Sequence, residues 1–319
     1  MSDDQAQRQN QRQYAHAVII PGNHDGVHLG HRALIYRARA YAGERGWRAV
    51  ALTFDPHPTQ ILAPDRVPPL LTTIERRCEL MKGAGADQVI VQQFGEEFAS
   101  LSPEDFMQKW LFESLNARAL VVGPNFGFGN RRSGDVQTLR RLGKKYDFEV
   151  LVVEPIRDAE EIVSSSAIRH AISKGDLQKA TRYLGRVHEV SGKVVPGDKR
   201  GRELGFPTAN LSCDSVLLPP DGVYAVAARK ISPLHSELLY GVANIGVRPT
   251  FQAGRSVEAH LFDFDEDLYG ATLRIGFVTR IRGEKSYQTA DQLRKQIEKD
   301  SNLARALLPQ IEKGELSWL

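Results

Sequence analysis

The chain has 319 residues, 41% hydrophobic and 25% charged, which is the composition of a soluble globular protein of about two domains. Its 42 basic and 39 acidic residues leave a net charge of +3, which gives no indication of a nucleic-acid partner. The two cysteines lack metal or disulfide spacing, the N-terminus is polar, and no apolar run approaches the ~20 residues of a membrane helix, so we expect a cytoplasmic protein without a membrane partner.

The first half of the chain alternates short apolar runs with amphipathic stretches. Ser102 followed by Pro103 has the pattern of a helix start within one of these stretches. Regular strand–helix alternation predicts a Rossmann-like parallel sheet covered by helices, with ligands at the carboxyl ends of the strands. The predicted strands are His16–Ile20, Ala49–Phe54, Gln88–Phe94, Ala119–Gly123 and Phe148–Glu154.

The pattern changes near residue 186, where short β-rich runs begin to follow each other with turn residues between them. This predicts a small antiparallel β-barrel, followed by a helix over roughly 290–313. We therefore expect one domain over residues 1–186 and a second over residues 187–319. The predicted barrel strands are Val187–Val195, Gly222–Arg229, Leu238–Gly246, Ser256–Phe264 and Thr272–Ile281.

A first candidate site lies in GNHDGVHLGH, from Gly22 to His31, between the first predicted strand and a helix. Its glycines allow positive φ or close backbone approach, and a helix N-terminus offers N–H groups to phosphate. His28 and His31 are three residues apart, so both imidazoles can stabilise charge on an α-phosphate as pyrophosphate leaves. The alternative is a glycine-rich turn without function.

Polar segments at three other strand ends favour the functional interpretation. FDPHP brings His57 to the same sheet edge, and GPNFGFGNRRSGD contributes Asn125 and Gly127. SSSAIR opens a helix with hydroxyl groups and carries Arg169 within one turn. With the first segment, these predict a nucleotide site that includes Gly22, Asn23, Gly26, His57, Asn125, Gly127, Ser164, Ser165 and Arg169.

A second candidate site is GRELGFPTAN, from Gly201 to Asn210, which we interpret as a stiff, irregular loop. Thr208 and Asn210 are oxygen donors suited to Mg²⁺ with phosphate oxygens. Glu258, in the strand VEAHLF, would accept a proton from an alcohol if it lies inside the barrel. The alternatives are a barrel loop with basic surface residues and an outward-facing, solvated Glu258. The remaining expected binding residues are Gly201, Arg202, Gly205, Phe206 and Pro207.

Taken together, the chain resembles the prokaryotic bifunctional riboflavin kinase/FAD synthetase family from about Tyr14 to the C-terminus. GNHDGVHLGH, TFDPHP, LTTIERR, FASLSPEDF, GPNFGFG and SSSAIR resemble its adenylyltransferase half. GRELGFPTAN, NIGVRPTF, VEAHLFDFDEDLYG and RIRGEKSY resemble its kinase half. The resemblance implies that riboflavin and ATP give FMN in the barrel, and that FMN and ATP give FAD and pyrophosphate in the α/β domain.

The resemblance also implies roles for individual residues. His28 and His31 would stabilise the transferring adenylyl phosphate, with Asn125 and Arg169 at the nucleotide and flavin phosphates. Thr208 and Asn210 would bind Mg²⁺ with ATP, and Glu258 would be the base for the ribityl hydroxyl. No partners beyond these small molecules are implied, and the oligomeric state stays open.

Two departures from the family pattern bear on the two sites. His24 stands where the family commonly has Phe, and Ser286–Tyr287 replaces a common Lys-Phe pair near the expected flavin edge. His24 motivates an alternative in which the protein is a riboflavin kinase with a degenerate adenylyltransferase domain.

Overall fold

The computed structural model describes residues 16–197, 201, 204–213, 216–232, 237–247, 255–311 and 313–319. The chain divides into two compact units. The first comprises Met1–Pro68 and Ile74–Val163, and the second comprises Pro69–Thr73 and Ser164–Leu319. This division by compactness lies after Val163, whereas the sequence pattern predicts a domain boundary after residue 186.

The first unit is built on a five-stranded parallel sheet with strand order β3-β2-β1-β4-β5. Each predicted strand of the first half is present, with shifts of at most two residues at the ends. The central strands carry nearly continuous apolar runs because both of their faces are covered. The strands are β1 (Ala17–Pro21), β2 (Arg48–Asp55), β3 (Gln88–Gln93), β4 (Ala117–Val122) and β5 (Glu149–Val152), and a separate two-stranded ribbon is formed by β6 (Arg157–Asp158) and β7 (Glu161–Ile162).

Some helices of the first unit begin at residues whose side chains cap them, namely His28, His57, Ser102 and Asp135. Ser102 is the N-cap of a short helix and accepts a hydrogen bond from the backbone N–H of Asp105 at 3.0 Å, as its Ser-Pro pattern predicts. That helix continues into a π-helix over Phe106–Ser114. The helices are α1 (Leu29–Gly43), α2 (Pro58–Leu62), α3 (Ile74–Gly83), α4 (Glu96–Ala99), α5 (Pro103–Asp105) and α6 (Val136–Tyr146), with 3₁₀ turns at Pro64–Arg66 and Asn130–Arg132.

The second unit contains a closed six-stranded antiparallel barrel with strand order β10-β11-β12-β9-β8-β13. The predicted fold class is thereby confirmed: a parallel sheet, an antiparallel barrel and a helix near the C-terminus. In the barrel, the strand that the sequence pattern missed is β9, which begins next to Thr208 of the GRELGFPTAN segment. The barrel strands are β8 (His188–Val195), β9 (Ala209–Cys213), β10 (Gly222–Ser232), β11 (Leu239–Val247), β12 (Arg255–Leu261) and β13 (Thr272–Arg282).

Side chains alternate between the inside and the outside of the barrel. Val257, Ala259 and Leu261 of β12 belong to the apolar core inside it. Val223 and Val242 face outward and pack with Ala304 of the long C-terminal helix. The helices of the second unit are α7 (Ser165–Ser173), α8 (Leu177–Leu184), α9 (Ala290–Leu307) and α10 (Lys313–Leu316), with a 3₁₀ turn at Leu308–Gln310. Within the described residues, no helix is long and apolar enough to cross a membrane.

Candidate active sites

The Gly22–His31 segment leaves the carboxyl end of β1 and enters α1 through a tight turn. The backbone N–H of Gly22 continues the sheet pairing by donating to Leu52 O at 3.0 Å. His24 and Gly26 then adopt positive φ values of 52° and 84°. The N–H of Val27 closes the turn by donating to His24 O at 3.0 Å. The segment therefore presents its backbone at the sheet edge where ligands of parallel sheets bind.

Arg77 of α3 contacts two side chains of this turn, Asp25 and Asn23. The sequence analysis did not identify Arg77 as a site residue. Its guanidinium lies 3.4 Å from the Asp25 carboxylate, and both side chains are almost fully buried. It also donates to Asn23 Oδ1 at 3.2 Å and to Thr53 Oγ1 at 3.4 Å. Thr53 in turn donates to the Asn23 carbonyl at 2.8 Å. The only signal for Arg77 was its place in LTTIERR, which resembles a family motif.

His28 and His31 come together at the N-terminus of α1, as their spacing predicts. His28 is the N-cap, and its Nδ1 accepts from the backbone N–H of His31 at 3.4 Å. The two rings stack with centroids 3.7 Å apart and an interplanar angle of 20°. Burial and the neighbouring His28, His24 and Arg77 lower the pKa of His31 well below its ordinary value. His31 is therefore a neutral imidazole at pH 7 in the ligand-free chain.

His24 is buried beside this pair, with 2% of its surface exposed. Its Nε2 lies 3.1 Å from Ile20 O, which makes Nε2 the protonated ring nitrogen. Its ring meets His31 edge-on with centroids 5.0 Å apart. Burial lowers the pKa of His24 to about 4. The imidazole therefore packs as a neutral ring in the place where the family commonly has Phe.

His57, Asn125 and Gly127 lie in loops that follow strands of the same sheet. His57 caps α2, where its Nδ1 accepts from the backbone N–H of Thr59 at 3.1 Å. Asn125 is exposed, and its carbonyl accepts from Arg132 Nη2 at 3.3 Å. A Cβ at Gly127 would come within 2.9 Å of the same guanidinium. Their part in nucleotide binding stays a prediction.

Ser164, Ser165 and Arg169 belong to the second compact unit. Ser164 is the N-cap of α7, and its hydroxyl accepts from the backbone N–H of Ala167 at 3.2 Å. Ser165 is the first residue of that helix. Arg169 donates through Nε to Pro69 O at 2.7 Å. The predicted helix start with hydroxyl groups is therefore present, and contacts of these residues with phosphate stay a prediction.

The second unit places its candidate residues in one row across the barrel wall. Arg282 of β13 pairs with Val223 of β10, and Val223 pairs with Asn244 of β11. Asn244 pairs with Glu258 of β12, which pairs with Asn210 of β9. Residues that pair directly across neighbouring strands project from the same face of a sheet. The row therefore brings the polar side chains at its two ends to one surface.

This surface is the outside of the barrel, which corrects the interpretation that Glu258 lies inside it. Val257 and Ala259 on either side of Glu258 fill the barrel core, so Glu258 projects the other way. It is half-buried there and lines a cavity of about 300 Å³ between the wall and α9. Leu293 and Ile297 of α9 also line this cavity. The carboxylate is thus neither inside the barrel nor freely solvated.

Thr208 lines this cavity and also a neighbouring one of about 480 Å³. The second cavity has apolar and aromatic walls that include Val194, Leu261 and Tyr269. Asp265 and Asp267 also line it. Thr208 therefore lies where two ligands in adjacent cavities would meet.

The residues of the glycine-rich segment that precede Thr208 form a loop beside it. The backbone N–H of Phe206 donates to Gly201 O at 2.8 Å, which closes a tight loop. Gly205, at the exposed tip, has a φ of 85°. Pro207 is exposed, and its carbonyl lies 2.9 Å from Nδ1 of His260. Arg202 lies outside the described residues.

Asn210 is buried, with 7% of its surface exposed, and lies against the backbone of Gly197. A Cβ at Gly197 would overlap the Asn210 amide, so only glycine leaves room for it there. Asn210 lies on β9, and the predicted irregular loop therefore ends at Thr208.

Sequence reasoning missed the other end of the row. Arg282 makes a bidentate ion pair with Asp300 of α9, with Nη2–Oδ2 at 2.8 Å and Nε–Oδ1 at 3.2 Å. Gln296 Nε2 also donates to Asp300 at 2.8 Å. This partly buried network joins α9 to the barrel wall beside the cavity. Only the tertiary structure shows it, because 18 residues separate the two charged partners.

Comparison with known proteins matches both halves of the chain. The FAD synthetase family model matches residues 10–167, and the riboflavin kinase family model matches residues 184–308. The bifunctional riboflavin kinase/FMN adenylyltransferase of Bacillus subtilis (strain 168) is 38% identical over 298 residues, 91% of this chain and 92% of that protein. The protein of the same name from Escherichia coli (strain K12) is 36% identical over 289 residues, 90% of this chain and 91% of that protein. A solved Streptococcus pneumoniae structure described as a macrolide-efflux protein is 30% identical, with a TM-score of 0.82, and the match covers 91% of this chain and 94% of that one.

Proposed function

This chain belongs to the bifunctional riboflavin kinase/FMN adenylyltransferase family, and from that premise we propose that each compact unit supplies the main residues of one reaction. The protein is a transferase that phosphorylates riboflavin with ATP to give FMN and ADP. It also adenylylates FMN with ATP to give FAD and pyrophosphate. The observation that carries the division is that His28 and His31 meet in the first unit, whereas Glu258 and Asn210 pair in the second.

In the kinase reaction, Glu258 is the general base. Its carboxylate accepts the proton of the terminal ribityl hydroxyl of riboflavin, and the oxygen attacks the γ-phosphorus of ATP. The bond from that phosphorus to the bridging β-phosphate oxygen breaks, and ADP leaves. The half-buried position of Glu258 in a cavity supports this role, because the carboxylate is shielded from bulk water yet reachable by a ligand.

Two cavities that share Thr208 suit the two substrates of this step. We assign riboflavin to the 300 Å³ cavity, because Glu258 lines it. We assign ATP to the 480 Å³ cavity, whose Tyr269 and apolar walls suit an adenine ring. The γ-phosphate and the ribityl hydroxyl would then meet beside Thr208. The loop before Thr208 would form or bind the part of the site that holds the ATP phosphates. Its residues are Gly201, Arg202, Gly205, Phe206 and Pro207.

Thr208 and Asn210 fit the Mg²⁺ that accompanies ATP. Hydroxyl and amide oxygens are the hard donors that Mg²⁺ accepts alongside phosphate oxygens. The Asn210 amide lies against Gly197, in space that a Cβ at Gly197 would fill. When bound, Mg²⁺ supplies neutralisation of the phosphate charge.

In the adenylyltransferase reaction, a phosphate oxygen of FMN attacks the α-phosphorus of ATP, and pyrophosphate leaves. His28, His31 and the N-terminus of α1 stabilise the charge that develops on the transferred phosphoryl group. His31 is neutral before substrate binds, because burial and nearby cationic groups lower its pKa. Bound phosphates favour the protonated form, so they would raise the pKa of His31 as the site fills.

The remaining residues of the first site would bind the nucleotide and the flavin phosphate. Their common feature is a position at a strand end or at a helix N-terminus. These groups would contribute backbone or side-chain hydrogen bonds, and we assign this role to Gly22, Asn23, Gly26, His57, Asn125 and Gly127. For Ser164, Ser165 and Arg169, which belong to the second unit, a phosphate contact stays a prediction from the sequence motif.

The test is a product assay with riboflavin, ATP and Mg²⁺, in which chromatography separates the flavins over time. Wild-type protein should form FMN first and then FAD. A His28→Ala, His31→Ala double variant should accumulate FMN only. Glu258→Ala should form no FMN but should still convert supplied FMN to FAD. A single variant at either site that abolishes both activities, with an unchanged circular dichroism spectrum, would refute the division into two residue sets.

A riboflavin kinase with a degenerate adenylyltransferase domain receives no support. The FAD synthetase match extends over residues 10–167, and the rings of His28 and His31 stack on each other. His24 packs as a neutral ring beside them.

For location and partners, we propose a cytoplasmic enzyme that acts on these small molecules and requires neither nucleic acid nor membrane. The balanced net charge of +3 supports this proposal. Cell fractionation followed by the product assay tests it. Activity found mainly in the membrane fraction would contradict it.

A further inference from the structure

Tyr287 has a buried hydroxyl with no hydrogen-bond partner among the residues that the structure describes. Its side chain lines the 300 Å³ cavity on the outside of the barrel. A buried hydroxyl without a partner is costly, and native structures rarely keep one without a reason.

The row across the barrel wall places Tyr287 at the end of the cavity opposite Glu258. Arg282 begins the row, and Glu258 lies three strands further along it. With strands about 4.8 Å apart, this is about 14 Å along the curved wall. The Arg282 guanidinium lies 5.8 Å from the centre of the Tyr287 ring. Tyr287 is therefore near the Arg282 end of the cavity.

A ligand whose hydroxyl reaches Glu258 must extend its other end toward Arg282 and Tyr287. Riboflavin has this form, with a terminal ribityl hydroxyl at one end and an isoalloxazine ring at the other. The ring carries carbonyl oxygens and ring nitrogens along its pyrimidine edge. Leu293 and Ile297 of α9 would cover its apolar faces. The group left for Tyr287 is a polar atom of the ring edge.

We propose that the Tyr287 hydroxyl donates a hydrogen bond to the pyrimidine edge of the bound flavin ring, which makes Tyr287 a specificity-determining residue. This inference rests on the proposed assignment of riboflavin to the 300 Å³ cavity. The four residues before Tyr287, from Gly283 to Ser286, are exposed. The buried hydroxyl reaches the ligand only if the Tyr287 ring turns toward it as the flavin enters, and this movement is part of the proposal.

The hydroxyl then has opposite effects on the free and the bound protein. Without ligand, it is buried and unpaired, so its removal should stabilise the chain. With flavin, it forms a hydrogen bond, so its removal should weaken binding. A tyrosine that only packs would affect both measurements in the same direction or neither. This opposition is the signature of the proposal.

The variant Tyr287→Phe removes the oxygen alone, and Tyr240→Phe is the matched control. Tyr240 lies on β11 of the same barrel with 37% of its surface exposed, and it lines neither cavity. Quenching of flavin fluorescence measures Kd for riboflavin and for lumiflavin, which has the ring without the ribityl chain. Thermal unfolding of ligand-free protein and riboflavin kinase turnover are measured in parallel.

For Tyr287→Phe we expect a roughly 3- to 10-fold weaker Kd for both flavins. The melting temperature of the ligand-free variant should be higher than that of wild type, and Tyr240→Phe should match wild type in both measurements. If Tyr287→Phe binds both flavins with the wild-type Kd, and wild-type protein phosphorylates riboflavin, the proposed role of Tyr287 is refuted and the proposed function is not. Weaker binding of riboflavin but not of lumiflavin would also refute it, because the contact would then be to the ribityl chain. Wild-type protein that neither binds nor phosphorylates riboflavin would instead refute the proposed function.

Discussion

Replacing Arg77 with Met tests whether one buried cation sets the shape of the phosphate-binding turn. Arg77 and Asp25 have side chains that are 3% and 1% exposed, with Nη2 and Oδ1 3.4 Å apart. The same guanidinium donates to Asn23 at 3.2 Å. Methionine keeps an apolar stem of similar length but leaves the Asp25 carboxylate buried opposite an uncharged group. We expect the turn to lose both stability and its catalytic arrangement.

The size of the effect follows from the burial of the pair. Removing one partner of a buried ion pair costs about 3–5 kcal/mol, because the other charge stays uncompensated. For a domain of about 150–250 residues, each kcal/mol lowers the melting temperature by about 2–4 °C. The melting temperature of the first unit should therefore fall by about 6–20 °C. Asp25→Asn in the same chain removes the stranded charge and should restore part of the loss.

The assay combines calorimetric unfolding with the flavin product assay at a temperature where the variant is folded. Arg77→Met should lose FAD formation and keep FMN formation, because Glu258 belongs to the other unit. Lys109→Met is the control, since Lys109 forms an exposed pair with Asp105 at 3.6 Å, and exposed pairs contribute little to stability. A melting temperature for Arg77→Met equal to that of the control, or undiminished FAD formation, would refute the reasoning.

Two further predictions concern pH and the barrel site. Because burial lowers the pKa of His24 from 6.5 to about 4, the free energy of unfolding should be highest above pH 6.5 and fall as the pH drops toward 4. The difference between the urea midpoints at pH 7 and pH 5 should therefore shrink in His24→Phe, and an equal difference would remove His24 as its source. Gly197→Ala should lower FMN formation by up to about 10²-fold by displacing Asn210, and should spare conversion of supplied FMN to FAD. Gly314→Ala, whose Cβ would meet nothing within 4 Å, is the control, and equal kinase activity in the two variants would contradict the prediction.

Much of the fold could be predicted because its signals are local. The apolar runs of β1, β2 and β4 are continuous, and burial on both sheet faces requires that pattern. β9 escaped prediction because it is only five residues long and begins inside the glycine-rich motif. Its pairing with β8 and β12 is non-local, so nothing in its own sequence signals it.

In the candidate sites too, local features could be predicted from the sequence and non-local ones could not. The meeting of His28 and His31 follows from a three-residue spacing at a helix start, which is a local geometry. The face of Glu258 could not be predicted, because strand alternation is the same whichever side of a barrel is filled. Arg77 and Asp300 were missed because their partners are distant in sequence, and a buried charge looks like any other charge in a sequence.

The sequence by itself determined the two-part architecture, the family resemblance and the chemical identity of the phosphate-handling residues. Periodicity and motif spacing are properties of neighbouring residues, and these features depend on nothing else. Only the tertiary structure decided that Glu258 faces α9, that one row of pairs joins Arg282 to Asn210, and that the Tyr287 hydroxyl has no partner among the described residues. The closure of the barrel and the packing of α9 on it bring these residues together, because the apolar interior forces the polar side of each strand outward.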